Sequence, residues 1–380
     1  MATADEMTPR ERLLAAYHGE RPDRVPVSPC FAYLIPAKLT GRPFYELIDE
    51  PAWPRLLHAF DYYGADARIF TSYGRPEEPG RRTERRTLAA EGLVVAEELR
   101  TSAGTLTGRR LHPRAEASWH LERFVKEPAQ ELAAYLDYLL QDPADYDFTQ
   151  GEQALAATGD RGIVYANIGS TFVDLLSDAL EGGIQRVIYE LLDAPDLYRP
   201  LQARHLVWQV RLTETALGRV DYDAVWYGAG PATLSTLSPA LWREWNLPAV
   251  KATVSAAHRF GKPIHVHLHG RFYPLLEDLV PAGIDYVCPF ELPPMGDSPS
   301  LTDVRARYPR LGIMGNVNTF EVLDRGTPED VIREVRRCLD EEGGAGPYIL
   351  STADQTPHTA PEANVRTMIA AGEQYGRIYN

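Results

Sequence analysis

The sequence predicts an α/β protein built as a (β/α)8 (TIM) barrel with an N-terminal elaboration of helices and a β-hairpin, and two observations carry that prediction. From about residue 120 onward one phrase recurs: a short apolar strand, a polar or small residue at its end, then a helix. Strands read at 163–168, 224–227, 264–269, 286–290, 312–317 and 348–351; with 25–28 and 67–70 added they make eight. Strands alternating with helices at this spacing argue for a parallel sheet, and eight of them for a closed barrel. The second observation is negative. No glycine-rich phosphate loop follows any strand, since Gly228-Ala-Gly230 is too short a match, and this weighs against the alternative of a doubly wound open sheet.

Each element has a local cause. Thr8-Pro9-Arg10-Glu11 supplies a capping residue, proline at the first helical position and glutamate at the third, so a helix should run to about Gly19. The prolines of 21–30 force extended backbone and permit only a short or edge strand. Helical patterns follow near 44–49 and 51–63. The run Arg81-Arg82-Thr83-Glu84-Arg85-Arg86 reads as a solvated loop. Residues 91–112 alternate around Ser102-Ala103-Gly104, which is hairpin chemistry with glycine at the turn. A helix is expected over 127–140, whereas 142–160 is polar and turn-rich. Ser238-Pro239 opens a helix ending at Gly261, and Thr327-Pro328-Glu329-Asp330 opens another ending near Gly343. A coarse boundary near 120 divides the elaboration, 1–120, from the remainder of the barrel, 121–380, within one structural domain.

Composition excludes several function classes. The 380 residues carry a formal charge of −14 and 44% hydrophobic content, enough for a large core and unsuited to nucleic acid or anionic membranes. Cys30, Cys288 and Cys338 are too few and too scattered for a disulfide framework or a CxxC metal site, which fits a reducing cytoplasm. The N-terminus has no basic start followed by an apolar stretch, and no apolar run approaches a membrane span.

The chemistry concentrates in residues 261–270. His265, His267 and His269 alternate with Ile264, Val266 and Leu268, so a period of two puts the three imidazoles on one strand face. At the usual rise, His267 lies about 7 Å behind His269 and His265 about 13 Å behind it. A metal–imidazole bond is only about 2 Å long, so neighbours of this row can share an ion but its extremes hardly can. His267 and His269 therefore read as a ligand pair and His265 as a packed or supporting residue. In a barrel the reacting groups sit at C-terminal strand ends, which here adds Asn167, Tyr227, Glu291, Asn316 with Asn318, and Asp354. Glu291 is placed as ligand, general base or substrate anchor. Asp354 ends the last strand, and a barrel can bring it across the mouth to the histidines. Two imidazoles and a carboxylate would leave open positions on a divalent ion, the arrangement of a catalytic site.

The chain resembles the uroporphyrinogen decarboxylase superfamily, including its cobalamin-dependent methyltransferase branch. The residues that carry the resemblance are Met7-Thr-Pro-Arg-Glu-Arg12, Arg21-Pro-Asp-Arg-Val-Pro-Val27, Leu237-Ser-Pro239, His267-Leu-His269-Gly270, Gly315-Asn-Val-Asn318, Gly326-Thr-Pro-Glu329 and Pro361-Glu-Ala-Asn364. The resemblance implies the same barrel. It also implies that His269 stands where the methyltransferases carry a zinc-binding cysteine, and Asp354 where a second cysteine is expected. Such a His/His/Asp set is harder than one with thiolates and better suited to acidifying water or polarising an oxygen. After the first strand, where the decarboxylases place arginines for an acidic tetrapyrrole, this chain has Cys30-Phe-Ala-Tyr-Leu-Ile-Pro36.

These readings converge on a metal-dependent enzyme that transfers a methyl group from a small methylated compound, to a corrinoid protein or a thiol. The expected ligands are His267, His269 and Asp354 for zinc, iron(II) or another divalent ion; Glu291 and Tyr227 are the catalytic candidates, and Asn167 and Asn316 the substrate contacts. The alternative is a metal-dependent lyase, decarboxylase or hydrolase acting on a small organic acid. A barrel that binds a corrinoid or tetrapyrrole without chemistry ranks third.

Overall fold

The computed structural model describes residues 6–377 except 231, 343 and 345. Its strands, in chain order, are β1 (Ala67–Thr71), β2 (Arg82–Leu88), β3 (Gly92–Thr101), β4 (Gly104–Pro113), β5 (Trp119–Glu122), β6 (Gly162–Ser170), β7 (Ala224–Gly228), β8 (Ile264–His267), β9 (Tyr286–Cys288), β10 (Gly312–Val317) and β11 (Tyr348–Thr352). Seven of them form one curled parallel sheet in the order β1-β6-β7-β8-β9-β10-β11, so that each strand lies beside the next one that follows a helical crossover. The other four, β2-β3-β4-β5, form a separate antiparallel sheet.

Both edges of the parallel sheet meet the segment read as the first strand. Val27 makes a parallel bridge to Leu350 of β11, while Asp66 N, just before β1, donates to Val27 O at 3.0 Å. Proline at 26 and 29 removes two backbone donors, which keeps this stave from growing into a full ladder. Side chains supply what the backbone lacks: Asp66 Oδ2 accepts from Val27 N at 2.7 Å, and Ser28 Oγ donates to Asp66 O at 2.6 Å. Asp66 also takes Arg12 Nη1 at 2.7 Å and Arg24 Nη1 at 2.9 Å, so one buried carboxylate ties the first helix, the stave and β1 together.

The first helix, Pro9–Tyr17, carries the expected capping box, with Thr8 accepting from Glu11 N and Glu11 reaching back to Thr8 N. It seals the N-terminal end of the sheet. Tyr17 Oη lies 2.5 Å from Tyr165 Oη and 2.7 Å from His265 Nδ1, and Tyr286 donates to Ala16 O at 2.7 Å. Leu13, Ile163, Met314 and Ile349 complete this inner cluster. Outside the sheet, Ile264, Val266 and Leu268 pack in the main core, so the aliphatic face of the histidine row is turned away from the interior as its period of two requires.

Four expectations are corrected. The arginine-rich run at 81–86 is not a loop: β2 pairs with β3 from Arg82–Leu99 to Leu88–Leu93, and an exposed edge strand accommodates its charges at no burial cost. The polar stretch 142–160 contains the helix Thr149–Thr158, whose small residues Gly151 and Ala154 allow it to pack closely. The expected 239–261 helix is two, Pro239–Trp245 and Leu247–Arg259, interrupted at Asn246, whose side chain accepts from Val173 N. The 44–49 pattern yields only the single turn Phe44–Glu46. The hairpin stands as expected, with Gly104 at φ +109° in its turn, and so does the helix from Pro328, which reaches Glu342; Gly343 lies outside the described residues.

Candidate active site

His265, His267 and His269 occur in three different environments along one face. His265 is fully buried and held neutral, its basicity driven well below the usual imidazole range by desolvation and then by Arg68 and His267. His267 is likewise driven down by burial; its Nδ1 lies 3.2 Å from Cys288 Sγ on the neighbouring strand, and its ring packs on Trp226 with centroids 5.1 Å apart. His269 lies beyond the end of β8, where Gly270 turns the chain at φ +65°. A side chain at 270 would strike Ser235 Oγ at 2.4 Å, so glycine is required there.

That turn gives His269 two carboxylates. Its Nδ1 stands 3.6 Å from Glu291 Oε2 and its Nε2 3.7 Å from Asp354 Oδ1. Glu291 is held in place by Gly270 N, which donates to Oε2 at 2.6 Å; Asp354 Oδ1 accepts from Gln355 N at 2.6 Å. Burial works against a charged His269, but Glu291 and Asp354 outweigh it and the imidazole is raised above its ordinary value. At Asp354 burial dominates, and the carboxyl is raised despite His269 and the backbone bond. Three strand ends distant in sequence thus deliver an imidazole bracketed by two acids.

The structure places the other candidates differently. Asn167 is exposed at the C-terminal end of β6, beside a cleft of about 470 Å³ that Arg75, Ser170, Asp174 and His205 also line. Tyr227 is fully buried on the far face of β7; strand alternation gives the inward position to Trp226, which stacks on His265 and His267. Asn316 is spent on structure: its Nδ2 donates to Phe290 O at 2.7 Å, and its Oδ1 accepts from Arg337 at 3.1 Å, on the outer helix. The structure therefore sets Tyr227, expected as a catalytic group, apart from the histidine row, and engages Asn316, expected as a substrate contact, in bonds to Phe290 and Arg337. Asn318 caps the turn that follows β10.

Of the three donors considered for a metal, His269 and Asp354 stand together at the mouth and His267 lies behind them beside Cys288. The 3.7 Å between His269 Nε2 and Asp354 Oδ1 suits two ligands of one ion with bonds of about 2 Å. His267 Nδ1 lies against the Cys288 thiol, which leaves Nε2 as its ligand atom, and among the described residues no group of three or more His, Cys, Asp or Glu donors converges on an ion position. Sequence reasoning missed Cys288 and Trp226. Nothing local marks a cysteine 21 residues from the histidine it touches, and only the pairing of β8 with β9 brings them together.

Behind the mouth, Asp174 pins the loop after β7 by accepting from Ala232 N at 2.9 Å, with Thr171 Oγ1 on its other oxygen at 2.6 Å. Burial outweighs both bonds and pushes its carboxyl up to about 7. Folding then favours the protonated form, so the stability this group contributes is fully present below its unfolded value near 3.8, falls as pH rises from 4 to 7, and is constant above. The displacement corresponds to about 4 kcal/mol. Relative to Asp174→Asn, the native chain should lose stability of that order between pH 4 and pH 8 in urea titrations; a difference independent of pH would contradict the assignment.

Residues 210–375 match the family model described as uroporphyrinogen decarboxylase (URO-D). No curated protein matches the chain. Among solved structures, a methyltransferase from Methanosarcina mazei shares the fold over 97% of this chain and 99% of its own, with a TM-score of 0.71 at 15% identity. An uncharacterized protein overlaps 44% of this chain and 43% of its own at 12% identity, with a TM-score of 0.26, too slight a likeness to argue from. The matched segment, 210–375, holds the histidine row, Glu291 and Asp354, and over it the chain is similar to the uroporphyrinogen decarboxylase family.

Proposed function

We propose that this protein is a methyltransferase-like enzyme working at the C-terminal mouth of an eight-stave barrel, the Pro26–Ser28 segment serving as the reduced first stave. It moves a methyl group from a small methylated compound to a corrinoid protein or a thiol. The observation that carries this reading is His269 held between Glu291 and Asp354. When a nucleophile forms its bond to the methyl carbon, the bond from that carbon to the heteroatom breaks, and the departing heteroatom needs a proton. An imidazolium kept charged by two flanking carboxylates can supply it, with Glu291 fixing the ring through its own bond to Gly270 N. Trp226 gives the mouth an apolar wall.

The test is a donor panel of methanol, methylamines and methyl sulfides, assayed for methyl transfer to a thiol or to a reduced corrinoid. Transfer from one donor class supports the reading; hydrolysis or decarboxylation of small acids with no methyl transfer would replace it by the lyase or hydrolase alternative. Uroporphyrinogen should not be turned over at a rate typical of enzymes, about 10 per second, because 30–36 brings no arginine to the mouth.

A second reading is favoured by the His269–Asp354 distance: a divalent ion, zinc or iron(II), held by His267, His269 and Asp354. Such an ion would acidify a bound thiol or water or polarise an oxygen. Elemental analysis of protein purified without chelator decides it. Stoichiometric metal that falls about tenfold in His267→Ala and His269→Ala supports the ion; full occupancy in both variants, or none in the native chain, removes it. No helix among the described residues is long and apolar enough to cross a membrane.

A further inference from the structure

The described residues include four buried arginines: Arg12, Arg24, Arg68 and Arg305. Three of them face carboxylates, Arg12 and Arg24 at Asp66 and Arg305 at Glu342. Arg68 does not. Its guanidinium is turned into the barrel interior and meets only neutral oxygens: Ser28 Oγ at 2.8 Å, Ser28 O at 3.0 Å, Ser351 Oγ at 3.3 Å and the Tyr165 phenol. A buried cation with no counter-charge is expensive, commonly by several kcal/mol, and calls for an anion.

The hydrogen-bond directions around it point the same way. Arginine can only donate, so Tyr165 accepts from Arg68; Tyr17 Oη bridges the Tyr165 phenol and His265 Nδ1. His265 Nε2, buried on the same inner face as His267, has no hydrogen-bond partner. The Ser351 hydroxyl accepts from Arg68, and its own proton finds no acceptor among the described residues. One interior therefore holds a cation without a counter-charge and a hydroxyl proton without an acceptor. It adjoins the mouth, because the charge of Arg68 acts on Cys30 and Cys288, and Cys288 Sγ is 3.2 Å from His267.

We propose that the barrel interior beneath His267 is an anion subsite, in which Arg68 and Ser351 receive the carboxylate of a small monoanionic substrate. This rests on the reading of the mouth as the active site and narrows the substrate class to methylated compounds that also bear an acid. A single guanidinium neutralises one negative charge, which selects a carboxylate over a doubly charged phosphate.

The test uses acetate as probe and needs no turnover. The full chain is titrated with sodium acetate, with sodium chloride at matched ionic strength and with methylammonium chloride, and the indole fluorescence is followed; Trp226, against His265 and His267, is the expected reporter. Saturable binding of acetate only is expected, weakened at least about tenfold in Arg68→Met and about threefold or more in Ser351→Ala, and unchanged in Arg310→Met on the exposed surface. Should Arg68→Met fail to fold, Ser351→Ala and Arg68→Lys carry the test, since each keeps the charge and loses a hydrogen bond. Acetate binding unaltered in Ser351→Ala and in a folded Arg68 variant, or absent from the native chain, overturns the subsite. Acetate bound in a chain that transfers no methyl group leaves the subsite standing and removes the reading of the mouth instead.

Discussion

Asp66→Ala should be the most destabilising single change in the described chain, costing about 3–5 kcal/mol, the usual consequence of removing one partner from a buried charge cluster. Asp66 accepts from Arg12, Arg24 and Val27 N, and both arginines are nearly inaccessible to water. With the carboxylate gone, Arg12 is left to Asp23 and Arg24 to Glu373 for two buried cations that three acids had held, and the stave between β1 and β11 loses the side chain that stands in for its missing ladder. Urea unfolding measures the loss directly. Asp66→Asn, which can still accept from Val27 N, should recover part of it. Glu50→Ala removes an equally well-formed contact, to Arg42 and Arg55, but on the surface, where the change should stay within about 0.5 kcal/mol. A loss below about 1 kcal/mol in Asp66→Ala would show that the cluster is not what closes the two sheet edges.

His269→Ala should lower methyl transfer by about 10²- to 10⁴-fold, the range for removing a general acid or base, with little change in the unfolding midpoint. The side chain is partly exposed at the mouth, and its neighbours Glu291 and Asp354 keep backbone partners of their own at Gly270 N and Gln355 N. Glu291→Gln should cost less, because the amide can still hold Gly270 N while losing the charge that helps keep the imidazole protonated. Steady-state rates with the donor identified in the panel assay measure both. A His269→Ala enzyme with native turnover would remove the proton-donor role and leave His269 as packing against His267.

Much of the fold was legible in local chemistry. The capping box at Thr8 acts within four residues, the Gly104 turn within two, and the repeated strand and helix phrase within about thirty. All seven strands of the parallel sheet fall where strands were read, and apart from the alternating row at 264–269 they are short, mostly apolar runs, because a parallel sheet covered on both faces needs nearly continuous apolar residues. The misses have the opposite character. At 81–86 the charges described the surface of a strand, and its pairing to β3 depended on a partner the local pattern does not name. In 142–160 the polar residues lie on the exposed side of a short helix whose packing decides its formation.

The candidate site divides in the same way. Which residues of 264–269 share a face follows from the sequence itself, since side chains alternate along any extended strand, and so does the placing of His269, Glu291 and Asp354 at strand ends. Which face of β7 looks inward was decided by tertiary structure: it turned Trp226 to the histidines and buried Tyr227 behind them. Tertiary structure likewise set Cys288 against His267, spent Asn316 on an outer helix, and left Arg68 inside the curled sheet without a carboxylate. Periodicity is a property of one segment, and a segment reports it wherever it lies. Contact, burial and counter-charge belong to pairs of segments, and they exist only once hydrogen bonding between strands far apart in sequence has fixed which side chains face one another.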